Sequence, residues 1–246
     1  PHSPLIAPPE YYALYPTSSI ELPRKQVPYH PWIKAWNDCY RFDSHFESDE
    51  QRRIAIASYY GLCTFLDANV GQILNTLDET GLSSETRVVF ISDHGDNLGA
   101  RSLWGKSTMY EESAGVPMIA RGPDLAQAKT VSTPVSHVDF MPSILQAVGR
   151  TECLPQGLPG SSFFDLARQA DDPQRCVFSE YHAAGSLSAA YMLRQGRYKY
   201  IHYTGFEPEL FDLASDPQET HDLAGRPEMI GVLARFEAQL RGICDP

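Results

Sequence analysis

The sequence predicts an α/β fold with a small C-terminal subdomain, an antiparallel sheet carrying a helix. Three observations predict it. A long helical pattern over residues 49–81 leads into an apolar, β-branched stretch, Val88-Val89-Phe90-Ile91. A second apolar run follows a polar loop, Val116-Pro117-Met118-Ile119-Ala120. Near the end, Ala190-Tyr191-Met192-Leu193-Arg194 and Tyr198-Lys199-Tyr200-Ile201-His202-Tyr203 flank Gln195-Gly196-Arg197, the pattern of a hairpin with a glycine turn. The expected domains are 1–185, a portion of an α/β domain, and 186–246, a small α+β subdomain.

The elements follow in order. Residues 1–45 carry proline at 1, 4, 8, 9, 16, 23, 28 and 31, which argues against regular helix. The same segment holds Tyr11, Tyr12, Tyr15, Tyr29, Trp32 and Trp36, too many rings for a free linker, so it is expected to pack. In the helix, Ile54, Ala57, Gly61, Phe65, Ala68, Ile73 and Leu77 recur at helical spacing. Ser48 or Asp49 can cap its start and Gly81 can close it. The run at Val88 reads as a fully buried strand of a parallel sheet. Ser92, Asp93, His94, Gly95 and Asp96 stand at its carboxyl end, where such sheets place ligands. A shorter helix is expected over 138–148, ended by Gly149, and strands over 176–180 and 209–213. A helix over 226–241 closes the chain.

Composition narrows the function. The 246 residues are 42% hydrophobic and 21% charged, which suits a packed globular protein. A net charge of −11 leaves no basic face to neutralise phosphates, so no nucleic acid is expected as partner. A small anion is still admissible, because a local cation cluster can invert the field in one cleft. No apolar run is long enough to span a bilayer, so no membrane partner is expected. The five cysteines are odd in number and form no CxxC pair, against a disulfide framework or a zinc site.

Asp93 and His94 form the sharpest chemical signal. A carboxylate beside an imidazole suits a divalent cation; the competing reading is a turn cap beside a surface histidine. Lys106 follows Gly105, which permits close approach of a ligand, and a lysine there suits a sulfate or phosphate; the competing reading is a solvated lysine. His2 lies between Pro1 and Pro4, stiff surroundings for a proton donor, although terminal residues often fray. His137-Val138-Asp139 reads as a helix start, and Glu111 and Glu112 as scaffold or solvated groups. Cys153 has no base nearby in sequence and reads as structural. The Tyr198 to Tyr203 alternation reads as an ordinary half-buried strand.

Five segments in order then resemble the sulfatase family of the alkaline phosphatase superfamily: PHSPLIAPPEYYALYP, YYGLCTFLDANVGQILNTLDETGL, VVFISDHGDNLGARSLWGKSTMYEESAGVPMIARGP, VSHVDFMPSILQAVG and ELFDLASDPQETHDLA. The resemblance covers nearly the whole chain but only the C-terminal half or so of a complete enzyme. It implies an alkaline-phosphatase-like fold, a mixed, largely parallel sheet flanked by helices. It implies hydrolysis of a small-molecule sulfate ester, or of a phosphate or phosphonate ester, and leaves a homo-oligomer open. Asp93 and His94 would be two ligands of one divalent cation, usually calcium and in some relatives magnesium or manganese. The Asp-His form is similar to that of choline sulfatases and phosphonate monoester hydrolases. Lys106 and His2 would be catalytic and substrate-binding, Lys106 on the sulfate oxygens and His2 protonating the leaving group. The family's nucleophile is a formylglycine made from a C/S-x-P-x-R motif. These residues lack that motif, since Cys153-Leu154-Pro155-Gln156-Gly157 has no arginine. The nucleophile, a pair of aspartate metal ligands and a Lys/His pair are expected in the N-terminal half. The chain alone is therefore expected to bind cation poorly and to be catalytically silent.

Overall fold

The computed structural model describes residues 1–23, 25 and 29–246. Along the chain the elements run α1 (Pro9–Tyr12), α2 (Pro31–Tyr40), α3 (Asp49–Glu79), β1 (Val88–Ile91), α4 (Glu111–Ala114), β2 (Met118–Arg121), α5 (Phe140–Ala147), α6 (Phe163–Arg168), β3 (Cys176–Tyr181), β4 (Ala190–Gln195), β5 (Tyr198–Tyr203), β6 (Glu209–Asp212) and α7 (Ile230–Ile243). They divide into two compact units. One comprises Pro1–Ser107 with Gly115–Pro123, the other Thr108–Ala114 with Asp124–Pro246.

In the first unit α3 starts and stops where the sequence says. The Ser48 hydroxyl accepts the Gln51 amide, Asp49 and Glu50 sit in the first turn, and Gly81 follows the end in the left-handed conformation. The proline-rich segment departs from the irregular course expected of it. Pro31 occupies the first turn of α2, where a missing N–H costs nothing, and His30 Nδ1 accepts the Trp32 amide. The helix buries Trp32, Ile33 and Trp36, so the segment packs as its rings suggest. Pro28 lies outside the described residues. Ile20, Ile56, Ala57 and Trp104 form a core cluster, flanked by Leu5, Tyr12, Tyr15 and Phe46.

The strand pair corrects two expectations. β1 and β2 run antiparallel, with Val88 opposite Arg121 and Ile91 opposite Met118. β1 is half-buried throughout, and Ile119 of β2 is 62% exposed. Every strand pairing among the described residues is antiparallel, so no parallel sheet is present there. Among the described residues these two strands form a two-stranded sheet, so each has an unpaired edge. The class remains mixed α/β.

In the second unit β3, β4, β5 and β6 form a meander in that order. The sheet begins at Cys176, on the amino side of residue 185. Gly196, at φ 57°, and Arg197 make the β4–β5 turn. Alternation then sorts the side chains. Tyr191, Leu193, Tyr200 and Leu210 pack with Phe236 and Leu240 of α7, where Tyr200 and Phe236 stack at 5.7 Å. Lys199, Ile201 and Tyr203 alternate with Tyr200 and His202 along β5. All three are buried, more deeply than the half-buried strand expected. Asp139 follows the predicted helix start: it forms a capping box with Ser136, and its fully buried carboxylate also meets Arg175 at 2.6 Å. Among the described residues no helix is long and apolar enough to cross a membrane.

Candidate active site

β1 delivers Asp93 and His94 just past its carboxyl end, and the following loop returns Lys106 to them. The Lys106 ammonium lies 2.6 Å from His94 Nε2 and 3.5 Å from His2 Nε2. The His2 and His94 rings meet edge to face at 5.9 Å. His94 Nδ1–H donates to the Gly95 carbonyl at 2.9 Å, which leaves the Nε2 lone pair facing the ammonium. His2 Nδ1 bonds the Ser3 carbonyl at 2.8 Å in the same manner. Thus three residues singled out separately in the sequence, His2, His94 and Lys106, converge, and His2 does so across 104 residues.

Asp93 stands beside them, its side chain 85% exposed, with Oδ2 at 3.5 Å from His94 Nε2. Its Oδ1 accepts the His94 amide at 3.0 Å. Lost hydration pushes its carboxyl up, but that amide and the positive charge nearby more than offset this, and the group sits below its usual range. It is ionised at neutral pH.

The loop carrying Lys106 is tightly built. Leu98, Gly99, Arg101, Ser102, Gly105 and Ser107 all have positive φ, and four of them are not glycine. Such residues cost about 1 kcal/mol or more each and persist only where neighbours over-determine them. Here Asp96 Oδ1 accepts the amides of Leu98 at 2.9 Å and Gly105 at 3.0 Å. Asn97, almost wholly buried, donates from Nδ2 to the Gly105 carbonyl at 2.7 Å. Leu103 and Trp104 point inward. The Trp104 indole N–H donates to Asp43 at 2.9 Å, its ring lies 4.4 Å from Phe46, and Arg52 pairs with the same aspartate. None of these contacts was legible from the sequence beyond the bare presence of Asp96, Asn97 and the glycines.

By donor type Asp93 and His94 would suit a divalent cation, one an anionic oxygen and the other an imidazole nitrogen that here meets the Lys106 ammonium. They do not make a full shell. No group of three or more His, Cys, Asp or Glu residues able to hold a metal occurs among the described residues. The other candidates have surroundings of their own. Glu111 is a scaffold group, paired with the buried Lys199 at 2.6 Å. Cys153 is exposed in a short turn rather than packed as a structural residue. His137 starts a helical turn.

The fold is alkaline phosphatase-like. The family model described as Sulfatase matches residues 1–150, and that described as N-sulphoglucosamine sulphohydrolase, C-terminal, matches residues 99–245. The chain belongs to the sulfatase family. It is 32% identical to Arylsulfatase K of Xenopus laevis over 80% of this chain and 38% of that protein. It is 32% identical to the Choline-sulfatase of Rhizobium meliloti (strain 1021) over 92% of this chain and 45% of that protein. The solved phosphonate monoester hydrolase from Silicibacter pomeroyi superposes with a TM-score of 0.82 at 29% identity, covering 98% of this chain and 53% of the other. The chain thus spans about two-fifths of the length of the curated relatives it matches.

Proposed function

We propose that this chain supplies part of the active site of a sulfuric ester hydrolase acting on a small-molecule sulfate monoester. The observation that supports this is the convergence of Lys106 with His94 and His2 beside the ionised Asp93. Asp93 and His94 would hold a divalent cation, calcium by the family's usage. That cation would neutralise charge on the ester oxygens, and a formylglycine outside these residues would supply the attacking hydroxyl. Lys106, freed from His94, donates to the sulfate oxygens and favours the charge that builds on them in the transition state. His2, once protonated at Nε2, gives that proton to the leaving alcohol oxygen as the ester S–O bond breaks. Its Nδ1 bond to Ser3 fixes which nitrogen faces the site.

The test is aryl-sulfate turnover by a polypeptide that joins this chain to a C/S-x-P-x-R nucleophile segment. Lys106→Met and Asp93→Ala should each lower kcat/KM by about a hundredfold or more, the usual cost of losing one transition-state contact. A fall of less than about tenfold removes the assigned roles. A second reading has its own support in the likeness to a phosphonate monoester hydrolase over nearly the whole chain. Turnover of a phosphonate monoester exceeding that of the matched sulfate would establish it. No turnover of either would leave the chain as a catalytically silent domain.

A further inference from the structure

We propose that Asp96 is a positioning residue whose carboxylate holds the Lys106 ammonium against His94. This rests on the reading of Lys106 given above and adds what sets its place. One oxygen, Oδ1, accepts the amide at each end of the loop, Leu98 where it leaves β1's end and Gly105 immediately before Lys106. The Asn97 amide and side chain both donate to the Gly105 carbonyl at 2.7 Å, so Gly105, the residue before Lys106, is held at both its N–H and its carbonyl.

The backbone visits the left-handed region at Leu98, Gly99, Arg101, Ser102 and Gly105 within this loop, and at Ser107 just past it. A loop with that many unfavoured residues has no local reason to close; it closes because something holds its ends together. The outer side of the loop is fixed by Trp104 in the core cluster and by its bond to Asp43. Trp104 fixes the loop's depth but not the direction of the residue two places on. Asp96 does that, because its second bond falls on the amide adjoining Lys106. On the other side, Ser92 Oγ–H donates to the His94 carbonyl at 2.7 Å and Gly95 holds its ring. The acceptor is thus fixed by its own neighbours, Ser92 and Gly95, and the donor by Asp96 from across the loop. An exposed lysine on a free loop would lose much side-chain entropy in finding one nitrogen; a preset backbone removes part of that loss.

The experiment uses the 246-residue chain and no turnover. The ¹⁵N resonance of His94 Nε2 reports whether Lys106 donates to it, and Lys106→Met gives the reference without a donor. Asp96→Ala should move that resonance to the Lys106→Met position and raise amine labelling of Lys106 several-fold, with Lys34 and Lys129 unchanged. Asp96→Asn, which keeps an acceptor oxygen at the same place, should leave both readouts near wild type. An unchanged resonance in Asp96→Ala overturns the proposal. So does an Asp96→Asn variant as shifted as the alanine, or labelling that rises equally at Lys34 and Lys129. An active Lys106→Met enzyme would refute the sulfate role of Lys106 while leaving these readouts intact.

Discussion

Lys199 and Glu219 face each other with neither side chain exposed, Nζ 2.8 Å from Oε1. The same ammonium reaches Glu111 at 2.6 Å and donates to the Met109 carbonyl at 2.9 Å, while Glu219 Oε2 accepts the Glu111 amide at 2.6 Å. One cation therefore serves two carboxylates and ties the segment of α4 to β5. Burial pushes the Glu219 carboxyl up, and Lys199 offsets only part of this. Burial also pushes Glu111 up, but Lys199 and Arg194 more than offset it, and Glu111 sits below its usual range.

The first prediction follows. Lys199→Met leaves two carboxylates without their cation and should cost about 3–5 kcal/mol, the range for breaking one side of a buried pair. Glu219→Gln keeps an acceptor for the Glu111 amide and should cost less than half of that. The pH dependence has a definite sign. An acid with a raised native value binds its proton more readily when folded, so its contribution is fully present below the ordinary 4.5 and is lost as pH rises through the native value. Glu219→Gln should flatten that fall. Urea unfolding of the three proteins between pH 4 and 8 checks both; equal midpoints for wild type and Lys199→Met would dismiss the pair as a stabilising element.

Asp43 carries the opposite sign. Burial raises its carboxyl, yet hydrogen bonds from Arg52 and Trp104 more than offset that and hold it below the ordinary 3.8. Its contribution is present above 3.8 and is lost as pH falls through the lower native value. Asp43→Asn should thus be less stable than wild type at pH 7 and converge with it toward pH 2. Melting temperatures of the pair across that range test this. A constant gap at all pH values would mean that the carboxylate charge is irrelevant.

Two glycines separate close approach from helix propensity. A Cβ on Gly160 would lie 2.0 Å from the Val138 carbonyl oxygen, 2.6 Å from its carbon and 3.0 Å from the Asp139 nitrogen, all backbone atoms. Gly160→Ala should cost about 3 kcal/mol or more, because the chain must part to admit it. Gly71 lies inside α3 with nothing within 4 Å of its would-be Cβ. Gly71→Ala should stabilise by about 1 kcal/mol through helix propensity. Denaturant midpoints moving the same way in both variants would contradict this.

The parts of the fold legible in the sequence are those whose cause is local. α3 carries its own cap, period and stop, and the β4–β5 hairpin carries its turn. The antiparallel partner of β1 is not legible, because an apolar run of four residues says nothing about which strand pairs with it. The proline density of residues 1–45 hides α2, because position decides what a proline does and at the first turn it favours a helix. In the site, Asp93, His94 and Lys106 stand out by residue type, and His2 more weakly, by the prolines around it. Asp96 and the Asp43–Trp104 bond do not stand out, since one depends on a backbone with six left-handed residues and the other joins positions 61 apart. The buried Lys199 looked like any polar residue of an alternating strand.

The last prediction concerns the cation. Among the described residues no group of three or more His, Cys, Asp or Glu is able to hold a metal, and Lys106 already meets the His94 Nε2 of the proposed pair Asp93 and His94. Calcium ordinarily takes six to eight oxygen ligands, so two donors and water give a weak site. If the dissociation constant exceeds about 1 mM, then ~1 mM calcium stabilises the chain by at most about 0.4 kcal/mol. For a chain of this length that moves the melting temperature by about 1 °C. Calcium addition and chelator removal should therefore leave the melting curve of the 246-residue chain nearly unchanged, and Asp93→Asn should abolish whatever shift remains. Joined to a segment that supplies further carboxylates, the same chain should show a calcium-dependent rise of several degrees that Asp93→Asn removes. A rise above about 3 °C in the chain alone, lost in Asp93→Asn, would mean that these two residues recruit a shell by themselves. A rise that persists in Asp93→Asn would move the cation elsewhere.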